Sequence, residues 1–420
     1  MRIEDLRLER TAAGARAVAT VIWEDCDRPT QEIYFETEEE FAQDLSCNPH
    51  AFLIACLPLA LRHGEARVAI REEVCPELRN GLLTAMAFLR AWYGLDRKPV
   101  RLETKEGARL PWPRAQERAG SFLSGGVDSL ATLRANRLDY PPNHPRAIKD
   151  CLLVHGFDIG GRAGLGPEQE TFARARASLL PIARDAGVTL IPLSTNIRHL
   201  DDELHFWEDE YVGAALAAVA HAFARRLSVV SIASSLDAYH LKPSGTHPLL
   251  DPNYSSADLQ IRHDNVRFSR LDKVRLLADW DVALQNLRVC TMNPPGKLNC
   301  GRCEKCIRTM LELLVVDKLA STEVFPTRDV SAEMVAGIEI RDAMIDSFFR
   351  ELIGPLQAKG RADLAKVIEE KSAQFHRYQA WVEERDWKGA IKRWDRKYLG
   401  SSLFKAYKAL RERARGNATA

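Results

Sequence analysis

Residues 121–136 read Ser-Phe-Leu-Ser-Gly-Gly-Val-Asp-Ser-Leu-Ala-Thr-Leu-Arg-Ala-Asn, and no other stretch constrains the fold as strongly. A short apolar run stops at Leu123. Ser124, Gly125, Gly126, Val127, Asp128 and Ser129 follow, and Leu130, Leu133 and Arg134 then fall at helical spacing. The pattern is strand, tight glycine turn, helix. Gly125 and Gly126 let the backbone bend and approach a ligand closely. The first amides of the helix have no internal partners and its dipole favours negative charge, so the turn suits an anion. Ser124 and Ser129 add hydroxyl donors beside those amides.

The spacing is not that of a Walker A loop, which needs a glycine, four residues and then Gly-Lys-Ser/Thr. It resembles the PP-loop of the ATP pyrophosphatase superfamily, Ser-Gly-Gly-x-Asp-Ser after the first strand of a parallel sheet. The resemblance implies that the loop holds the β and γ phosphates of ATP while a substrate oxygen attacks the α phosphorus, so that AMP is transferred and pyrophosphate leaves. Ser124, Gly125, Gly126, Val127, Asp128 and Ser129 are then ATP-binding, with Ser124, Asp128 and Ser129 also catalytic. The plainer alternative is a glycine turn capped by serine and aspartate. Two roles stay open for Asp128: approaching Mg²⁺, or tying down the loop by accepting backbone amides.

Beyond the turn, strand-like segments at 151–154, 188–193 and 228–232 alternate with helical patterns at 171–185 and 210–226. This order predicts an α/β fold, a parallel sheet with helices on both faces. Ligands of such sheets sit outside the carboxyl ends of the strands, which gathers the loops after Leu123, Val154, Leu193 and Ile232. The superfamily resemblance implies an adenine nucleotide alpha hydrolase-like arrangement in which the second strand end contacts adenine through its backbone. It assigns Val154, His155, Gly156 and Phe157 to ATP. Asp158 at the same strand end meets a ribose hydroxyl, Mg²⁺ or the second substrate, or only caps a turn.

Residues 234–270 lose periodicity and are dense in polar and turn residues. They read as a substrate-selecting wall or lid, with Ser234 at its start counted among the ATP contacts. Lys273 matches a lysine that related synthases carry before the corresponding helix. A lysine at a helix start opposes the dipole unless an anion is present, so a phosphate partner and a catalytic role are expected.

Cys290, Cys300, Cys303 and Cys306 form the second strong signal. Two Cys-x-x-Cys steps share Cys303, and a helix over 307–316 follows. Four thiolates suit tetrahedral Zn²⁺ with no open position, hence a structural metal; an iron–sulfur cluster can use the same ligands. PP-loop and cysteine spacing together resemble the 7-cyano-7-deazaguanine synthase family over about residues 120–314. The resemblance implies adenylation of a carboxylate, capture by ammonia, and a second activation that expels water as a nitrile. Residues 244–251 depart from the queuosine-pathway pattern, so ATP chemistry and zinc carry over while the acceptor, a deazapurine-like molecule or a protein terminus, does not. Enlarged members also resemble synthase-like proteins of anti-phage gene clusters. Two alternatives are tRNA thiolation, for which Cys151 is badly placed, and a non-catalytic ATP-binding scaffold.

Three regions are expected: 1–114, an α+β domain of undisclosed role; 115–317, the PP-loop domain with its cysteine site; and 318–420, helical with a basic end. In the first, 15–23, 31–35 and 66–70 read as strands and 38–45 and 82–92 as helices. Cys26, Cys47, Cys56 and Cys75 read as small buried hydrophobes. Residues 110–113, Leu-Pro-Trp-Pro, read as a stiff connector.

In the last region 334–352, 361–384 and 387–415 read as helical. The final segment carries basic residues interleaved with Trp387, Trp394, Tyr398, Phe404 and Tyr407, a packed amphipathic helix in preference to a nucleic-acid grip. Terminal regions that recruit a protein partner, and a homodimer, are compatible with this layout. Lys and Arg number 59 against 58 Asp and Glu, so no global field draws the chain to nucleic acid or membrane. No apolar run approaches a membrane span, the first residues are charged, and the cysteine pattern suits a reducing compartment; a cytoplasmic protein is expected.

Overall fold

The computed structural model describes residues 1–105, 107, 116–159, 168–385 and 394. Residues 1–330 form one compact unit and 331–420 a second. The first is built on a ten-stranded sheet of order β10-β9-β6-β7-β8-β3-β2-β1-β4-β5. Its strands are β1 (Arg2–Thr11), β2 (Gly14–Ile22), β3 (Gln31–Glu38), β4 (Arg67–Ile70), β5 (Arg101–Thr104), β6 (Ala119–Phe122), β7 (Ile148–His155), β8 (Thr189–Thr195), β9 (Val229–Ala233) and β10 (Gln260–Asp264). Helices are α1 (Pro49–His63), α2 (Pro76–Tyr93), α3 (Val127–Asp139), α4 (Glu168–Ala186), α5 (Leu204–Phe206), α6 (Val212–Ala222), α7 (Arg270–Leu277), α8 (Asp281–Leu284) and α9 (Glu304–Val315).

Strands β6 to β10 are mutually parallel, as the alternation of elements requires. The connections through α3 and α4 step from β6 to β7 to β8. The chain then returns through α6 to β9 on the other side of β6. Right-handed crossovers put a helix taken in that reverse direction on the opposite face, so the sheet is covered on both sides.

The segment 1–114 adds its own strands to the same sheet. Its β3 pairs antiparallel with β8, setting Phe35 opposite Thr195 and Thr37 opposite Leu193. The described residues of 1–114 therefore share one core and one compact unit with the central segment, and that unit ends at Val330. Helix α1 packs against α6 and is buried from Pro49 to Leu61. Asn48 caps it by accepting the His50 amide, Pro49 takes its first position, and Gly64 ends it at φ 76°.

Several expectations change. Residues 38–45 hold only a 3-10 turn, Glu39–Phe41, because β3 runs on to Glu38. The helix expected from 210 begins as a π turn, Trp207–Tyr211, before α6. The irregular segment 234–270 contains strand β10 and a 3-10 turn, Asp251–Tyr254. Cys56 and Cys75 are buried as expected, whereas Cys26 and Cys47 are half-buried. The connector 110–113 lies outside the described residues.

The second unit contains α10 (Ala332–Ala336), α11 (Ala343–Arg350), α12 (Ile353–Ala358) and α13 (Ala362–Arg385). The single helix expected over 334–352 is thus two. Asp346 of α11 meets His376 of α13 at 3.0 Å, and Lys371 donates to the Ile338 carbonyl at 2.5 Å. Apart from Trp394, the basic end 387–415 lies outside the described residues. Among the described residues no helix is long and apolar enough to cross a membrane.

Candidate functional site

Strand β6 has β7 on one side and β9 on the other, and the chain visits them in opposite directions. Their carboxyl ends therefore flank a topological switch point, where open α/β sheets bind ligands. The turn 124–129 stands there. Gly125 has φ 82°, which favours glycine, and a side chain on it would start 3.3 Å from Arg288 Cβ. Gly126 is the N-cap of α3 with extended backbone. The amides of Val127, Asp128 and Ser129 have no acceptor within the helix. Ser124 is exposed at the mouth; its Oγ accepts the Gly126 amide at 3.4 Å. The Ser129 hydroxyl turns inward, donating to the Gly126 carbonyl at 3.0 Å and accepting the Ser124 amide at 3.3 Å.

Asp128 points from α3 to α7. Lys273 Nζ donates to its Oδ1 at 3.0 Å and Arg270 Nη1 to its Oδ2 at 3.2 Å. Burial opposes ionisation of this carboxyl, but Lys273 and Arg270 outweigh burial and hold it below its usual range. Lys273 is fully buried, and its ammonium also donates to the Ser234 carbonyl at 2.6 Å. The anion that balances Lys273 is thus a carboxylate of the chain itself. Asp128 acts here as a tie, made through side chains rather than backbone amides.

Arg270 continues the network to Glu312 of α9 at 3.1 Å and Thr309 at 3.3 Å. Ser234 is buried at the tip of β9; its amide donates to Asp264 O at 2.8 Å and its hydroxyl to Leu236 O at 2.6 Å.

At the tip of β7, Val154 and His155 are half-buried, and the His155 ring meets Phe172 edge-on at 5.1 Å. Gly156 has φ 108°, and a Cβ there would fall 1.8 Å from the Thr195 carbonyl, so only glycine fits. Phe157 is buried against Trp207 at 4.9 Å, and its carbonyl accepts from Arg198 at 2.8 Å. Asp158 is exposed. A cavity of about 350 Å³ opens beside His155, walled by Phe172, Arg176, Ser194 and Glu38. The sequence-predicted residues thus divide: 124–129, Ser234 and Lys273 are linked by direct contacts, while Val154 to Asp158 form a neighbouring strand tip.

In the segment 234–270, Asp251 and His263 form a buried pair, Oδ2 to Nδ1 at 2.7 Å, and His247 packs on Trp92 at 5.0 Å. Burial raises the Asp251 carboxyl despite His263. Tyr239, His240 and Lys242 are exposed.

The sulfurs of Cys290, Cys300, Cys303 and Cys306 all lie within 4.8 Å of one another. Cys290 and Cys303 are 4.0 Å apart and Cys300 and Cys306 3.8 Å apart. Tetrahedral Zn–S bonds of about 2.3 Å place sulfurs about 3.8 Å apart, so this set fits one such ion, and it is too open for disulfides. Gly301 (φ 70°) makes the knuckle, where a Cβ would strike Pro326. Asn299 Oδ1 accepts the amides of Val289 at 2.9 Å and Cys290 at 3.2 Å.

Sequence reasoning missed Arg270, Arg288 and Glu312. Two signals were present: Glu312 interrupts the apolar run 310–316, and Arg288 stands between Leu287 and Val289 just ahead of Cys290. Comparison with protein-family models, with curated proteins and with solved structures finds no match.

Proposed function

We propose that this chain is an ATP-dependent synthase of the PP-loop pyrophosphatase type, with an adenine nucleotide alpha hydrolase-like core. It resembles the 7-cyano-7-deazaguanine synthases and adenylates a carboxylate or amide of a deazapurine-like acceptor. One observation carries the reading: a glycine turn with unpartnered helix amides stands at the switch point of a parallel sheet, behind an exposed serine.

On this reading the β and γ phosphates lie against the amides of Val127, Asp128 and Ser129 and the Ser124 hydroxyl. An acceptor oxygen attacks the α phosphorus, the bond to the bridging oxygen of the β phosphate breaks, and pyrophosphate leaves with the electron pair. The turn amides stabilise the charge that accumulates on that leaving group. Ammonia then attacks the acyl carbon, AMP departs, and the surplus proton passes to water.

Lys273 and Arg270 contribute by fixing Asp128 and with it the first turn of α3. Both Asp128 oxygens are engaged, whereas Asp158 is exposed at the β7 tip and would offer its carboxylate to a nucleotide-bound Mg²⁺, which would neutralise phosphate charge. The four cysteines would hold Zn²⁺ in a structural role. A thiolation enzyme would need a reactive cysteine near the turn, whereas burial pushes the Cys151 thiol up to about 12.

The test is to supply ATP, Mg²⁺, ammonium and a panel of deazapurine and peptide carboxylates and to measure AMP and pyrophosphate. Equimolar release with one acceptor class is expected. Tight ATP binding with no release from any acceptor would turn the reading toward a scaffold.

A further inference from the structure

Arg288 lies two residues before Cys290, and the turn 124–129 rests on it. Its amide donates to the Gly125 carbonyl at 2.9 Å, its Nη1 to the Ser124 carbonyl at 3.5 Å, and its Nη2 to Asn293 at 2.7 Å. The carbonyls of Ser124 and Gly125 therefore both end on this residue. The stretch from 286 to 303 that carries Arg288 has no helix or strand, so the position of Arg288 depends on what fixes that loop. Asn299 is one support. The cysteine set is the other, since Cys290 closes it from one side and Cys300, Cys303 and Cys306 from the other.

A second route leaves the same set. Cys303 is the N-cap of α9 and Cys306 lies in its first turn. That helix presents Thr309 and Glu312 to Arg270, and Arg270 reaches Asp128 in the first turn of α3. The cysteine set is thus connected to the turn by two routes, one ending on its carbonyls and one on the Asp128 carboxylate.

We infer that a metal held by the four cysteines keeps the 124–129 turn in its anion-binding shape, with Arg288 as the positioning residue that transmits the constraint. The consequence for ATP rests on the function proposed above; the constraint on the turn does not. Without the ion, four sulfurs lose their shared partner, the loop 286–303 relaxes, and Gly125 and Ser124 lose the donors that fix their carbonyls.

Amide hydrogen exchange on the zinc-loaded chain, on the chain stripped with a zinc chelator, and on Arg288→Ala tests this, with ATP titration of each. Stripping is expected to speed exchange of peptides covering 123–130 and 287–290 at least about tenfold and to weaken ATP by a similar factor, with α1 and α6 unchanged. Arg288→Ala keeps its zinc and is expected to loosen 123–130 by a smaller factor, and Arg288→Lys to recover part of it. Unchanged exchange at 123–130 in the stripped chain overturns the inference.

Should stripping also expose α1 and α6, the zinc-retaining Arg288→Ala chain decides by the same criterion. A loaded chain whose turn loosens on stripping but which binds no ATP supports the constraint and removes the ATP reading. A chain that binds ATP equally with and without the ion, its turn unchanged, does the reverse.

Discussion

Lys273 Nζ lies 3.0 Å from Asp128 Oδ1, and this contact ties α3, which follows the 124–129 turn, to α7, which follows the polar segment. Asp128→Asn would leave a fully buried ammonium facing a neutral amide. Discounting for the 28% exposure of the Asp128 side chain, the loss is roughly 2–4 kcal/mol, readable as a shift in urea midpoint.

The effect also carries a pH signature. The folded carboxyl is held below its usual range, so its contribution is present above the unfolded value of about 3.9 and fades as pH falls through the lower folded value. The stability gap between parent and Asp128→Asn should therefore shrink from pH 6 toward pH 2; a gap independent of pH would contradict the tie.

Gly156→Ala should destabilise the chain by about 3 kcal/mol or more, since a Cβ at φ 108° would fall 1.8 Å from the Thr195 carbonyl. Thermal unfolding measures this. A melting temperature within a degree of the parent would mean that the β7 tip is built otherwise.

How much of this was legible in sequence varies with the physics of each element. The turn 124–129 and the cysteine set were legible because each is a local pattern: glycines and a helix start, or soft ligands at short spacing. Helix α1 was not, because a helix buried from Pro49 to Leu61 has no polar face and so no amphipathic period. Strand β10 hid in a polar segment as an edge strand whose residues alternate only briefly, and β3–β8 pairing joins residues more than 150 positions apart, which no local pattern announces. The partner of Lys273 was expected to be a phosphate. The requirement for an anion was readable from the helix start, but its identity depends on α3 meeting α7.

One zinc per chain is expected on elemental analysis, because the four sulfurs lie within 4.8 Å of one another, near enough to surround a single ion and too near to hold the corners of a four-iron cluster. Cys303→Ser should lose the metal and unfold at lower temperature. A fully loaded Cys303→Ser chain, or iron in place of zinc, would contradict this assignment.

Removing residues 1–114 would uncover the β8 edge and the α6 face that α1 covers. Such a fragment should aggregate or self-associate, as seen in light scattering, since an open parallel-sheet edge beside an apolar face recruits other chains. A monomeric fragment that keeps the parent's exchange protection in α6 would show that the central strands need no support from 1–114.

A turn 124–129 that holds the phosphates of ATP, as proposed, should distinguish the parent chain from Gly126→Val in calorimetric titration with ATP. Gly126 has extended backbone, and a Cβ there would meet only Ser124 Oγ at 3.5 Å and Arg288 O at 3.8 Å, so valine leaves the fold intact while its methyls crowd the anion side. Binding by the parent and its loss in a Gly126→Val chain with unchanged circular dichroism is the predicted result. Equal affinity in the two chains would contradict the account.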